Sequence, residues 1–344
     1  MGTTSGLSLY DRKKDKFIRY ATLPRNSRQT RSNQIRSITI DSNGLFWLST
    51  MDGLYQFDPL KKLFTRYLND LIIKESSGSS IIRCTFIDSE NNIWIGTEFG
   101  GLFYYDIANK KLYHYIHNPT DPHSLSYNQV NNIMEDNNGY IWISTNGGLS
   151  YVKRGTNLRQ GPDIFNSLNQ DPKYNGLSTN NITTTYLDKN NRLWVGGRFG
   201  DIDIIDNQDK QFLSYKFTDI ESSFSSNNMT AMVEDGDGNI WFGTDGGGIY
   251  FWNRKNNKYK VYKNNYLNKA SLTSNKVIAL CLDSYNNLWI GMWNGGIDKL
   301  DLKNDTYTHY HYNPADINSL SSDNVYFITE DTKKTYGLVC GLAV

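Results

Sequence analysis

Six tryptophans, Trp47, Trp94, Trp142, Trp194, Trp241 and Trp289, stand 47, 48, 52, 47 and 48 residues apart, and the text around each repeats with them. The copies read NGLFWLST, NNIWIGT, NGYIWIST, NRLWVGG, GNIWFGT and NNLWIGM. A period of this length marks a repeat architecture, in which each unit buries its apolar face only against the next. The period continues past the six copies, because Gly2-Thr3 stands 47 residues before Ser49-Thr50 and Asp331 lies 48 after Asp283. Seven periods therefore fill the 344 residues.

Within one period, alternating apolar residues and turn residues mark out four short strands. The first runs from an apolar anchor to an aspartate six residues on: Ile35 to Asp41, Ile82 to Asp88, Val130 to Asp136, Ile182 to Asp188, Met229 to Asp235, Val277 to Asp283 and Val325 to Asp331. A tight turn follows, Asp-x-x-(Gly or Asn), with Gly44, Asn91, Gly139, Asn191, Gly238 and Asn286 where a positive φ is needed; only Lys334 breaks the pattern. The second strand carries the Trp and then a small residue such as Gly96, Gly196, Gly243 or Gly291, where a neighbour is expected to approach closely. The third is aromatic-rich (GLYQFD, GLFYYD, GLSYV, GIYFWN), and the fourth is an F-x-x-Y segment, as at Phe17/Tyr20 and Phe64/Tyr67.

Four strands per ~48 residues is one propeller blade. The chain is therefore expected to be all-β, a seven-bladed β-propeller of four-stranded antiparallel blades in a single domain over 1–344. The strands at 6–20 would join strands at 325–342 in a composite last blade, weakened where Gly337 replaces the expected Trp. One Trp per blade at a fixed strand position reads as packing between blades.

A formal net charge of +1 with 38% hydrophobic residues describes a globular, nearly neutral chain and argues against nucleic acid as a partner. No apolar run approaches the ~18–20 residues of a membrane span, and MGTTSGLSLYD has neither the basic nor the apolar region of an export signal. Cys84, Cys281 and Cys340 lack metal-ligand spacing and read as small apolar strand residues, and their odd number excludes a complete disulfide framework. His114, His117, His123, His309 and His311 read as strand or loop residues; neither a metal nor a cofactor is expected.

Enzyme signatures fail on spacing. The sialidase Asp-box places Asp and Trp five apart, against six in Asp41 to Trp47. DGDGN at 235–239 begins like a calcium loop, but position twelve is Gly246 in place of a glutamate.

Residues needed for packing should recur in every blade, so positions that vary point to function. By usual propeller geometry the turns between second and third strands open on one face with the linkers before the innermost strands. Their residues are Thr4-Ser5, Met51-Asp52, Glu98-Phe99, Asn146, Arg198-Phe199, Asp245-Gly246 and Trp293-Asn294. Rings for C–H stacking and polar groups for hydroxyls suit a sugar, and Arg198 suits a carboxylate or sulfate. The candidate ligand-binding residues are Glu98, Phe99, Arg198, Phe199, Asp245, Trp293 and Asn294. Asn33, Asn128, Asn180, Asn227 and Asn275, with Asp323, recur two residues before the anchor and read as backbone caps.

The unit DSENNIWIGTEFGGLFYYD at 88–106, with SLSYNQV at 124–130, resembles the two-component regulator propeller repeat, and the likeness extends over essentially the whole chain. Proteins with this repeat look like the large sensors of gut Bacteroidetes, in which tandem propellers and a Y_Y_Y domain stand outside the inner membrane ahead of a histidine kinase. The resemblance implies a periplasmic, non-catalytic sensing module of a hybrid two-component system, a fragment of a larger sensor. It also implies an oligosaccharide ligand, with the adjacent propeller, the Y_Y_Y domain or a second copy as partners. The chain carries none of the downstream parts, so kinase activity is not implied for it. The alternatives are a protein-interaction scaffold and, further off, a polysaccharide lyase or glycosidase, for which Glu98 and Asp245 are the available carboxylates.

Overall fold

A computed structural model of the chain describes residues 1–20, 34–76, 80–156, 164–171, 176–198, 202–206, 211–215 and 228–330. It contains seven four-stranded sheets, six in simple sequential order and one that joins the last strand to the first three, and the fold is a seven-bladed β-propeller. The 82–115 blade is typical, with antiparallel strands Ile82–Ile87, Ile93–Thr97, Leu102–Asp106 and Lys111–Tyr115. Two compact units are distinguished, Thr39–Ser222 and Met1–Ile38 with Ser223–Val344.

The repeated aspartate and tryptophan are bonded to each other. In the 82–115 blade, Asp88 Oδ1 accepts the backbone N–H groups of Glu90 (3.1 Å) and Asn92 (2.8 Å), and Oδ2 accepts the indole N–H of Trp94 (2.9 Å). The same indole-to-carboxylate bond forms at Trp47, Trp142, Trp194, Trp241 and Trp289, at 2.9–3.1 Å. This is the physical meaning of the spacing of six: one carboxylate closes its own turn and satisfies the indole donor of a buried ring. Asp188 also takes two bonds from Arg192, at 2.7 and 2.9 Å. Burial opposes its ionisation, but Arg192 and Trp194 outweigh it and hold the carboxyl below its usual value.

In the Thr39–Ser222 unit, Trp47 and Leu54 pack with Ile82, Ile93, Ile95, Phe103 and Tyr105 of the following blade. Trp142 and Leu149 pack likewise with Ile182, Leu193, Val195 and Ile205. In the other unit Trp289 meets Tyr10, with ring centroids 4.9 Å apart. Trp47, Trp142 and Trp289 are thus inter-blade packing, as expected of the repeated tryptophan.

The small residue after each Trp makes room for the next blade's anchor. A Cβ on Gly96 would lie 2.6 Å from Val130 Cγ1 and 2.6 Å from Cys84 Sγ, and one on Gly243 would lie 2.7 Å from Val277 Cγ1. Gly96→Val should therefore overpack this contact and cost roughly 2–3 kcal/mol, read as a lower urea midpoint, with partial rescue by Val130→Ala. Cys84, beside Gly96, is buried, and burial pushes its thiol up to about 12.

The last blade is composite, as expected, but its second strand differs in origin. Val325–Phe327 pairs with Gly2–Thr3, which pairs with Gly6–Asp11 and then Lys16–Tyr20. The N-terminal end thus supplies three of the four strands, and Gly2-Thr3, the tail of a W-x-G-T motif, holds the second-strand place. Residues 331–344, with Asp331, Lys334, Gly337 and Cys340, lie outside the described residues. Among the described residues one element has no counterpart in the repeat, a seven-residue helix Asn69–Glu75 that inserts the buried Ile72 beneath Trp47 and Leu54.

Candidate functional site

The turns between second and third strands are built alike. Thr97 Oγ1 donates to the Gly101 carbonyl (2.8 Å) and accepts the Gly100 N–H (2.8 Å). Thr3, Thr50, Thr145 and Thr244 make the same pair of bonds in their own turns. The terminal threonine of the repeated motif is therefore a turn clamp. Gly101 sits at φ +78, and a Cβ there would meet the Tyr115 carbonyl at 2.3 Å, so the position admits no side chain.

A second tie fixes where the turn begins. The N–H of its first residue donates to the carbonyl just before the anchor: Glu98 to Ile81 (3.1 Å), Arg198 to Asn181 (2.9 Å), Asp245 to Asn228 (3.0 Å) and Trp293 to Lys276 (3.0 Å), with Thr4 to Asn324 at 3.3 Å. A third comes from the recurring amides. Asn128, Asn180 and Asn275 accept the backbone N–H groups of His117, Gln170 and Asn264 at 2.6–2.7 Å, and Asp323 accepts that of Tyr312 at 2.7 Å. These residues are backbone caps, as read from sequence; Asn33 and Asn227 lie outside the described residues.

Glu98, Arg198, Asp245 and Trp293 thus occupy one structural position, held by one backbone bond, with a different side chain in each blade. In the Thr39–Ser222 unit, Arg83 donates to the Glu98 carboxylate at 2.5 Å, with both side chains largely buried, and Phe99 beside it is 64% exposed. The carboxylate nominated for acid–base chemistry is therefore held by a guanidinium. Phe199 lies outside the described residues. In the other unit, Trp293 is half-buried with its ring 5.7 Å from that of Tyr326. Asn294 is exposed, at φ 53, and its N–H donates to Asn324 Oδ1 at 2.8 Å.

Sequence reasoning missed the residues next to these. Five innermost strands carry a register shift after the anchor, between Ile82/Cys84, Val130/Asn132, Ile182/Thr184, Met229/Ala231 and Val277/Ala279. The bulged residue leaves the ladder and is re-aimed, which brings Arg83 to Glu98 and Asn131 Nδ2 to Asn146 Oδ1 (2.8 Å). Tyr326 holds the equivalent place in its strand, and the Arg36 guanidinium lies 5.9 Å from its ring centroid. Burial pushes the Tyr326 hydroxyl up, against the pull of Arg36. The signal that could have found them is copy-to-copy variation directly after the anchor: Arg36, Arg83, Asn131, Thr183, Thr230, Ile278 and Tyr326.

A groove of about 350 Å³ lies at the opposite strand ends, on the side of the Asp turns, lined by Asp88, Glu90, Trp94, Tyr104, Asp106 and Arg154. Its polar groups are engaged with one another. Asp88 holds its turn and Trp94, Asp106 takes two bonds from Asn109, and Arg154 pairs with Glu90 and Glu135. His114 stacks on Phe103 at 4.2 Å, with Nε2 2.6 Å from the Gly100 carbonyl, and His117 Nδ1 is 2.7 Å from the Leu125 carbonyl. Among the described residues no group of His, Cys, Asp and Glu is arranged to hold a metal ion, and no helix is long and apolar enough to cross a membrane.

The family model described as "two component regulator propeller" matches residues 76–99, 124–147, 176–199, 223–246 and 271–294. The chain carries five repeats of this family. Each matched stretch of the regulator propeller runs from the linker before an innermost strand through the second residue of the turn just described. Four of the five stretches therefore hold both ends of the bond that fixes the variable position. No curated protein matches the chain.

Among solved structures the regulator propeller is similar in fold to the extracellular domain of the putative hybrid two component system BT3049 from B. thetaiotaomicron, with 23% identity and a TM-score of 0.69 over 90% of this chain and 39% of that one. It is also similar to PorZ, a surface component of the type-IX secretion system of Porphyromonas gingivalis (18%, TM-score 0.59, 78% of this chain and 38% of that one). A third likeness is to virginiamycin B lyase from Staphylococcus aureus (16%, TM-score 0.58, 80% of this chain and 83% of that one). The regulator propeller thus spans well under half the length of the first two structures.

Proposed function

We propose that this regulator propeller is the ligand-sensing module of an extracytoplasmic two-component sensor, that it binds an oligosaccharide, and that it does no chemistry itself. The family of its repeats supports the regulatory setting, and BT3049, similar in fold, is described as an extracellular domain of such a system. One observation carries the ligand reading. The same backbone bond pins a single turn position in blade after blade, while the side chain it presents changes from Glu98 to Arg198 to Asp245 to Trp293. A constant frame with a variable tip is what recognition requires and packing does not.

Within the Thr39–Ser222 unit these positions offer Phe99, Asn146 and Arg198, and within the other unit Trp293, Asn294 and Tyr326; aromatic and hydrogen-bonding groups of this kind suit the C–H faces and hydroxyls of sugars. The Glu98–Arg83 pair favours binding over hydrolysis, because a carboxylate engaged by a guanidinium is poorly placed to deliver a proton. In the whole protein the occupied propeller would pass its state to a neighbouring propeller, a Y_Y_Y domain or a second copy in the periplasm.

Phe99→Ala, Arg198→Ala and Trp293→Ala, measured by calorimetry against a panel of plant and host-glycan oligosaccharides, should each weaken binding about tenfold or more. Trp293→Ala should have the largest effect. Unchanged affinity in all three would reject this position as the site.

A further inference from the structure

The residues between Gly246 and Leu282 include seven Lys and Arg and no Asp or Glu, in a chain whose net charge is only +1. Arg254 is paired with Glu234 and Lys260 with Asp305. Lys255, Lys258, Lys263 and Lys269 are exposed along the outermost strand, Lys258–Tyr262, the turn before it and the loop that leaves it.

That loop is rigidly built. Asn268 N–H donates to the Asn265 carbonyl (2.8 Å), Asn265 N–H to Ser271 Oγ (2.9 Å), and Leu267 N–H to Asn265 Oδ1 (3.1 Å). His309 Nε2 lies 2.9 Å from the Lys269 carbonyl and holds the far side. At the two central positions of this turn stand Tyr266, 87% exposed, and Leu267, 80% exposed.

Among the described residues two other linkers contain the same turn, closed by the same bonds, at Asn118–Ser124 and Asn313–Ser319. Their tips are Pro119-Thr120-Asp121 and Pro314-Ala315-Asp316. The turn therefore requires neither Tyr nor Leu, and it accommodates an acid where this copy has Asn268. Only this copy exchanges Pro for an aromatic, a small residue for Leu and Asp for a neutral amide, and it follows them with Lys269. Packing does not account for those four changes, because all are at the surface.

We propose that this edge of the 229–262 blade and its loop form a docking surface for an anionic phospholipid membrane, with Tyr266 and Leu267 entering the headgroup boundary and the flanking lysines facing lipid phosphates. Lysines near an anionic leaflet are drawn to it, and an apolar tip gains from insertion only where an apolar phase lies beneath the charge. A soluble polyanion would engage the lysines and leave Tyr266 and Leu267 without purpose. The surface would set how the sensing module stands over its membrane, and it is independent of the ligand reading.

The test is co-sedimentation of the protein with vesicles of phosphatidylethanolamine containing one third phosphatidylglycerol, against vesicles of phosphatidylcholine alone, at about 0.05 M and about 0.5 M NaCl. Partitioning onto the anionic vesicles should exceed that onto phosphatidylcholine at least tenfold at low salt and be largely lost at high salt. Lys263→Gln and Lys269→Gln should each lower it roughly fivefold. Exchanging the tip for the chain's own alternative, Tyr266→Pro with Leu267→Ala and Asn268→Asp, should abolish binding with an unchanged melting temperature. Absence of binding, equal binding to both vesicles, or indifference to these substitutions would overturn the proposal. So would capture of soluble heparin through the same lysines without vesicle binding.

Discussion

Asp88→Ala is expected to lower the unfolding free energy by roughly 3 kcal/mol, a large effect for one polar side chain. Asp88 is buried and accepts three hydrogen bonds, two from its own turn and one from the Trp94 indole. Alanine leaves the Asn92 N–H and the indole N–H without acceptors where little water can replace the carboxylate, and each such orphan costs about 1–3 kcal/mol. Asp88→Asn should cost less, because its amide oxygen can serve the turn or the indole but not both. Urea unfolding followed by tryptophan fluorescence measures both variants. Equal stability of wild type and Asp88→Ala would show that the repeated aspartate is only a turn preference.

Trp94→Ala should cost about 3–5 kcal/mol. The ring is 1% exposed and lies 4.7 Å from that of Tyr104 on the neighbouring strand, so truncation removes a large buried ring from the floor of the groove shared with Val152 and Arg154. Trp94→Phe separates the two contributions, since it keeps most of the packing and removes only the donor; it should cost less than half as much. The double variant Asp88→Ala with Trp94→Ala should fall short of the sum of the singles, because the shared hydrogen bond is lost only once. Strict additivity would place the two residues in separate roles.

The architecture was legible because its determinants repeat. The Trp spacing, the Asp turns and the small residue after each Trp are required in every blade by the same contacts, so their period survives while other positions change. The Asn caps were legible for the same reason. The indole-to-carboxylate bond was not, because a spacing of six crosses a turn and no strand or helix periodicity brings those positions together. Among the described residues the helix Asn69–Glu75 interrupts a single linker and leaves no period to read.

The candidate site was legible in part. Variation among copies located the turn position of Glu98, Arg198, Asp245 and Trp293, but period-2 alternation does not announce a bulge. It therefore gave no reason to look at Arg83, Asn131 or Tyr326, although Arg83 takes up Glu98 and Tyr326 meets Trp293. The same copy-against-copy comparison, applied to the linkers, separates Tyr266 and Leu267 from the prolines that close equivalent turns elsewhere in the chain.

In the proposed function, the variable turn position binds a sugar and leaves it intact. Calorimetric titration of the purified chain against the oligosaccharide panel, followed by chromatography of the recovered ligand, tests both halves together. The expected result is saturable binding, a ligand recovered unchanged, and loss of the signal in the triple variant Phe99→Ala, Arg198→Ala and Trp293→Ala at an unaltered melting temperature. Shortened or unsaturated products, or full binding by the triple variant, would contradict it.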